Sequence, residues 1–206
     1  MAAPLPSGAD RLIQMRIIAG KFRSRQLKSL KGLALRPTSD MLRETLFNII
    51  GPRVEGSRFL DLFAGTGALG IEAISRGAIS AVFVENHPAA VRLIRGNLAS
   101  LEINAEARII ASAVAPALAK LQSEHAAAFD FIFLDPPYAN EKDYEATLPA
   151  LENSSLIAES TIVIAEHHKS FELPASLGQF ERVRVLRQGD AALSFYRPSN
   201  TENSSK

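Results

Sequence analysis

The chain has 206 residues, 47% of them hydrophobic, with 23 Lys and Arg against 22 Asp and Glu and no cysteine. That length buries a sizeable core, and the missing cysteines exclude disulfides, thiolate metal sites and a thiol nucleophile. There is no long apolar run and no charged-then-apolar start, so neither a membrane span nor a secretory signal is expected, and a cytoplasmic location is. His87, His125, His167 and His168 lack helical ligand spacing, so no metal site is expected; the last two read as a strand end and a solvated turn.

In chain order, residues 1 to 10 are rich in Pro, Ser and Gly and read as a disordered tail. Residues 11 to 39 contain eight Lys and Arg and no acid. Apolar residues interleave with the charges in "MRIIAGKFRSRQLKSL", with Gly20 between two short β-capable runs, which predicts a basic hairpin more than a loose arm. Such a ribbon is a footprint for a polyanion, with Arg16, Lys21, Arg23, Arg25 and Arg36 as the candidate phosphate contacts. "RPTSDMLRETLFNII" follows as a helix: Ser39 is placed to cap it, Asp40 suits its positive end, and Leu42, Leu46, Ile49 and Ile50 share one face.

From residue 58 onward strands and helices alternate. "RFLDLF", "SAVFVE", "ARIIA", "FDFIFL" and "STIVIAE" read as strands, with helices near 68 to 76, 88 to 101, 114 to 123 and 141 to 152. "RVRVLRQGDAALSFYR" reads as two closing strands around Gly189 and Asp190. The expected fold is α/β: a doubly wound, mostly parallel seven-stranded sheet with a small N-terminal basic hairpin and helix. Residues 11 to 50 form the polyanion-contacting unit and 51 to 197 the main domain, ahead of a disordered tail at 198 to 206. No exposed hydrophobic helix offers an interface, so a monomer is expected.

Ligands of such sheets sit at the carboxyl ends of the strands, where three features fall. Gly65, Gly67 and Gly70 of "LDLFAGTGALG" satisfy G-x-G-x-x-G between a strand and a helix. They permit a sharp turn and close backbone approach, although a tight turn needs glycine with no ligand at all. Glu85 ends the next strand, twenty positions after Gly65, where an acid accepts both hydroxyls of a ribose. Asp61 lies just upstream of the glycines, with Phe63 and Ala64 between. A carboxylate there repels a pyrophosphate and suits an ammonium or sulfonium, both of which S-adenosylmethionine carries. A purely structural Asp61, satisfied by loop N–H groups, would express no preference.

The third feature is "FDFIFLDPPYAN", a buried strand ending on an acid, two prolines and an aromatic. An exocyclic base amine is a poor nucleophile because its lone pair is delocalised into the ring. Asp135 and the Pro136 carbonyl, stiffened by Pro137, can accept its two N–H protons, and Tyr138 presents a ring for the extruded base to stack on.

"DPPY" after "DLFAGTGALG" resembles the class I S-adenosylmethionine-dependent amino-methyltransferases. "MRIIAGKFRSRQL", "LRPTSDMLRETLFNII" and "FLDLFAGTGALGIEAISRGA" resemble the RsmD family, bacterial 16S rRNA guanine-N2 methyltransferases, from about Arg16 through Tyr138. The resemblance implies that Asp61, Gly65 and Gly67 line the methionine part of the cofactor, Glu85 the ribose, and Asp135 through Tyr138 the target amine. It implies that the segment Arg36, Pro37, Thr38 leads into the catalytic domain near the cofactor mouth. It also implies 16S rRNA as partner, within an assembling small subunit, with guanine 966 as the nucleotide. One departure stands out: many relatives carry an Asp near Ala113, where it accepts from the adenine amine, leaving Ser112 or backbone groups to do so here. Two other readings fit part of the pattern, an adenine-N6 methyltransferase acting on DNA or RNA and a nicotinamide oxidoreductase. The latter has no use for "DPPY".

Overall fold

The computed structural model describes residues 15–29, 39–136, 142–152 and 154–199. The tail expected at 1 to 10 lies outside these residues, as does that expected at 198 to 206 apart from Pro198, which ends the last strand, and Ser199, which bonds Gln179; Arg36, Pro37, Thr38, Pro137 and Tyr138 also lie outside. A two-stranded antiparallel hairpin comes first, β1 (Met15–Arg16) against β2 (Gln26–Leu27). Next is α1 (Asp40–Ile50), where the Ser39 hydroxyl accepts the Leu42 N–H at 3.1 Å, the cap expected. Strands and helices then alternate as β3 (Arg58–Asp61), α2 (Ala68–Ser75), β4 (Ser80–Val84), α3 (Pro88–Ser100), β5 (Ala107–Ile110), α4 (Val114–Ser123), β6 (Phe129–Leu134), α5 (Lys142–Glu152) and β7 (Ile157–His168). The sheet closes with β8 (Ser176–Leu177), β9 (Phe180–Gln188) and β10 (Ala191–Pro198), the last two joined at Gly189 and Asp190.

The main sheet has the order β5-β4-β3-β6-β7-β10-β9-β8. Strands β3 to β7 are parallel, whereas β10, β9 and β8 run antiparallel to their neighbours. It carries eight strands where seven were expected, because Ser176 and Leu177 pair with β9 and a two-residue strand is too short to show a period. Strand β7 is longer than its apolar run and reaches His168. His168, read as a solvated turn, is instead its last residue, and His167 before it is buried, with Nε2 2.9 Å from the Ser194 hydroxyl on β10.

Helices cover both faces of the parallel strands, which accounts for their nearly unbroken apolar sequences. On one face Phe59, Phe83, Phe131, Phe133 and Ile164 pack with Leu46 and Phe47 of α1, Ile71 of α2 and Ile94 of α3. On the other, Leu60, Val82, Ile132, Leu134 and Val163 pack with Leu118 of α4 and Leu148 of α5. The strand order reverses at β3, whose neighbours are β4 and β6, and this switch point opens a crevice at the carboxyl edge.

The N-terminal hairpin shares the first core through Met15, Ile17 and Leu27 and is fixed to α2 by a buried acid. Glu72, with no solvent exposure, accepts the N–H groups of Ile18 and Ala19 at 2.8 and 3.0 Å. It also pairs with Arg76 at 2.7 Å and lies 3.9 Å from the buried Arg43 of α1. One Arg43 Nη donates to the Arg16 carbonyl at 2.6 Å and to Asp40 at 2.8 Å. One turn on, Gly20 has φ +81° and lies so close to the Ser75 carbonyl that a Cβ would meet its oxygen at 1.8 Å. Removing the Glu72 carboxylate leaves two backbone donors unmatched and takes one of two anions from the buried Arg43 and the close partner from Arg76. Glu72→Ala is therefore expected to lose about 3–5 kcal/mol of stability in urea unfolding. A denaturation midpoint matching the wild type would refute this anchoring.

Candidate active site at the carboxyl edge

The glycine loop leaves β3 at Asp61 and enters α2 at Gly67. Gly65 and Gly67 have φ of +52° and +77°, a left-handed geometry that other residues adopt only with strain. Gly70 serves packing instead, since a Cβ there would meet the Phe83 ring at 2.4 Å. Ala64 donates to the Val84 carbonyl at 3.0 Å and Leu62 to Phe133 at 3.0 Å, so the loop is pinned to both flanking strands. Asn97 of α3 braces it from behind: its amide donates to the Thr66 carbonyl at 3.0 Å while bonding both the N–H and the C=O of Lys28. Phe63 is half-buried beside the loop.

Glu85 sits just past β4 and is already engaged. Its two carboxylate oxygens accept the N–H groups of Gly65 and His87, each at 2.8 Å. Asp61 is buried, and burial pushes its carboxyl from 3.8 up to about 7, with the Glu85 charge adding and the Gly70 and Phe63 N–H groups opposing. A buried acid with another acid as its charged neighbour is answered by a cation, and the two carboxyls beside the loop suit the ammonium, sulfonium and ribose hydroxyls of S-adenosylmethionine.

Asp135 follows β6 directly, half-buried, with buried Pro136 after it. Burial holds its carboxyl well above the ordinary range, and the Glu166 and Asp61 charges push the same way. Side chains alternate along each strand, so Glu85, Asp61, Asp135 and Glu166 all project from the face that carries Phe83, Phe59, Phe133 and Ile164. Four acids thus line the carboxyl edge of four adjacent strands, β4, β3, β6 and β7. Sequence reasoning found three of them. It missed Glu166, whose signal is the same as that of Glu85, an acid closing an apolar strand.

Ser112 donates its N–H to the Glu85 carbonyl at 3.1 Å, which sets the next loop against the end of β4. Exposed Ala113 is the N-cap of α4 and has no side-chain cap to offer. The Asp expected there from the family pattern would be an N-cap too.

The structure divides the basic candidates. The connection from β3 to parallel β4 carries α2 back toward the amino ends of the strands. Lys21 donates its N–H to Ser75 at the end of α2, and Arg25 donates to the Ser100 carbonyl at the end of α3. Lys21, Arg23 and Arg25 therefore sit at the end of the sheet opposite the acids. Arg16 stays nearer the site: it follows Met15, whose sulfur accepts the Thr66 hydroxyl at 3.3 Å, and its own Nε lies 3.7 Å from Asp40. Among the described residues no helix is long and apolar enough to cross a membrane, and no cluster of three metal-ligating side chains occurs.

Two stability measurements test this site. A raised carboxyl binds its proton more tightly in the folded chain, so its contribution is full below about pH 4 and is lost as pH rises through about 7. Asp61→Asn removes that loss, and its stability relative to wild type should grow by roughly 2–4 kcal/mol between about pH 5 and pH 8. An equal gap at both pH values would sink the idea. Ala113→Asp supplies a cap and should stabilise the protein by about 1 kcal/mol in the same assay, with no gain as the contrary result.

Residues 15–197 match the model of a family described as conserved hypothetical protein 95. Ribosomal RNA small subunit methyltransferase D of Escherichia coli is 34% identical over 196 residues, covering 95% of this chain and 94% of the relative. The Bacillus subtilis protein YlbH is 38% identical over 188 residues, covering 89% of this chain and 98% of the relative. The solved structure of Escherichia coli yhhF superposes with a TM-score of 0.76 at 31% identity, covering 90% of this chain and 98% of that one. A glycine loop beside a buried acid, a strand ending in Asp-Pro and likeness along nearly the whole chain agree, and the chain belongs to this family, the RsmD family of methyltransferases.

Proposed function

We propose that the protein transfers a methyl group from S-adenosylmethionine to the exocyclic N2 amine of a guanine in 16S rRNA, guanine 966 of an assembling small subunit, in the cytoplasm. The observation that carries this reading is the position of Asp135 and Pro136 at the switch-point edge, one strand from Asp61 and the glycine loop. An amine acceptor and a cation site there face a common crevice. The relatives' name, small subunit rRNA methyltransferase, supports the substrate class.

When bound, the cofactor supplies a methyl group on a cationic sulfur that keeps the electron pair of the broken C–S bond. Asp61 ionises against the ammonium, and Glu85 exchanges backbone donors for ribose hydroxyls. Asp135 would accept a hydrogen bond from one amine N–H and the Pro136 carbonyl from the other, both protons staying on nitrogen until the methyl has transferred, which would localise the nitrogen lone pair and aim it at the methyl carbon. Pro137 fixes that carbonyl, and Tyr138 stacks on the flipped base. The methylated nitrogen is acidic enough to release its proton to water, so orientation and electrostatics supply most of the rate. Arg16 and Arg36 contact phosphate, and Lys21, Arg23 and Arg25, at the far end of the sheet, extend the contact away from the site.

Labelled methyl transfer to small-subunit particles lacking the modification, followed by nucleoside analysis, should yield N2-methylguanosine. Asp135→Ala should reduce it by roughly a hundredfold or more. Recovery of N6-methyladenosine would keep the amine chemistry and overturn the guanine assignment. Neutralising Arg16, Lys21, Arg23 and Arg25 together should flatten the log–log salt dependence of RNA binding by about 0.7 for each true contact with single-stranded RNA. An unchanged slope would refute the basic footprint.

A further inference from the structure

The mechanism above makes no use of a groove at the far end of α2. It lies among the end of α1, the short 3₁₀ turn that follows it (Gly51–Val54) and the turn of the N-terminal hairpin, and its volume of about 600 Å³ suits a small ligand. Helix α2 spans eight residues, ~12 Å, and separates the groove, beside Arg76, from the glycine loop. Phe47, Pro52 and Val54 give the groove an apolar lining. Gly51 leaves it open, with no atom within 4 Å of where a Cβ would stand.

The polar lining is Asn48, Glu55 and Arg76. Arg76 is held in place but not used up. Its Nε donates to Glu72 at 2.7 Å and its guanidinium carbon lies 4.9 Å from the centre of the Phe47 ring, while its Nη groups bond nothing among the described residues. Glu55 and Arg76 flank a backbone contact, the Gly56 N–H on the Gly77 carbonyl at 2.8 Å, yet among the described residues they form no ion pair. The exposed Asn48 amide makes no hydrogen bond among those residues either. Gly20 belongs to the lining, so the exposed Lys21 beside it stands at the rim. A free guanidinium fork, an unpaired carboxylate and an apolar lining match a ligand with an anionic group, N–H donors and a flat face. Glu55 opposes a bare anion, whereas a nucleotide answers all three. Guanine suits Glu55 best, because only its Watson–Crick edge offers two adjacent N–H donors, at N1 and N2, to one carboxylate.

We propose that this groove is a second nucleotide subsite, which takes an unstacked guanine nucleotide of the substrate RNA away from the target base. The phosphate sits on the Arg76 Nη groups near Lys21, Glu55 accepts the N1 and N2 N–H groups of the base, and the base lies against Pro52 and Val54. The hairpin then does more than add charge: Lys21 and Arg23 hold the backbone beside an anchored nucleotide, and the RNA is registered at both ends of α2. The RNA rests on the function proposed above, whereas the preference of the groove for a guanine nucleotide can be measured without it.

Guanosine 5′-monophosphate, titrated into nitrogen-15-labelled protein, should shift the amide signals of Asn48, Gly51, Glu55 and Gly56. Adenosine 5′-monophosphate should bind the groove about tenfold more weakly. Asn48→Glu, at an exposed position that spares the fold, adds a second acid to the lining and should remove the shifts. Glu55→Gln, also exposed, should bring the two nucleotides to similar affinity. Equal binding of both nucleotides by the wild type, the same shifts from inorganic phosphate alone, or shifts confined to Gly65 and Gly67 would each overturn the subsite. A short single-stranded RNA with one guanine should shift the same groove amides and lose that effect when adenine replaces the guanine. An RNA that leaves them unmoved while the free nucleotide shifts them would refute the RNA as occupant. Absence of methyl transfer to any RNA would defeat the proposed function instead, and the nucleotide titration would still decide what the groove binds.

Discussion

Glu72 is the carboxylate on which the arrangement depends. Helix α2 spans eight residues, all buried, and its N-terminus carries the glycine loop. An acid in the middle of such a helix is tolerable only if every lone pair is matched and its charge answered. The matching groups come from outside the helix: two amides of the N-terminal segment, Arg43 of α1, and Arg76 just past the helix end. The first part of the chain is thereby tied to the body that binds at its other edge. Arg43 shows how tightly the balance is drawn. Burial lowers its affinity for the proton while Asp40 and Glu72 restore it, and two of its nitrogens still lack a hydrogen-bond partner.

The carboxyl edge follows the opposite logic. Around Glu72 charges are answered within the chain, whereas along β4, β3, β6 and β7 four acids share one face and the neighbours acting on Asp61 and Asp135 are themselves acids. Left alone, such a row costs stability at neutral pH. In the proposed function it is a surface completed by what binds there, a cation at Asp61, an amine at Asp135 and hydroxyl groups at Glu85. Glu85 already shows the exchange in miniature, its two oxygens held by the backbone of the loop that approaches the ligand.

Local chemistry was legible in the sequence and long-range pairing was not. Strand and helix positions followed from apolar runs and Ser39, and the edge residues Asp61, Glu85 and Asp135 from acids placed where strands end. Glu72 gave no sign of itself, because "GIEAIS" reads as an ordinary helix with one solvated acid until the partners fold over it. Glu166 was hidden for a related reason: its meaning lies in the strand beside it, and adjacency of β6 and β7 is a property of topology. The charge count of the basic segment was correct but blind to direction. Nothing in "GKFRSR" says that its turn lies at the foot of α2 while its ends approach the loop.

The glycine motif shows where the deciding information sits. Gly65 and Gly67 answer a backbone requirement, and Gly70 answers the Phe83 ring, so the three serve two different physical needs within one pattern. Either need is met in a dinucleotide-binding turn as well. What separates the alternatives is the charge around the loop: a pyrophosphate approaching these amides would meet Asp61 and Glu85 at close range, with Asp135 and Glu166 beyond, and among the described residues the charges acting on Asp61 and Asp135 are those of acids. In the proposed function, the same field that repels an anion lowers the energy of a cationic sulfur and draws the hydrogen-bearing side of an amine toward Asp135. Cofactor choice and the proposed amine activation would thus be two consequences of one row of acids, imposed by the reversal of strand order at β3 that brings β4, β3, β6 and β7 side by side.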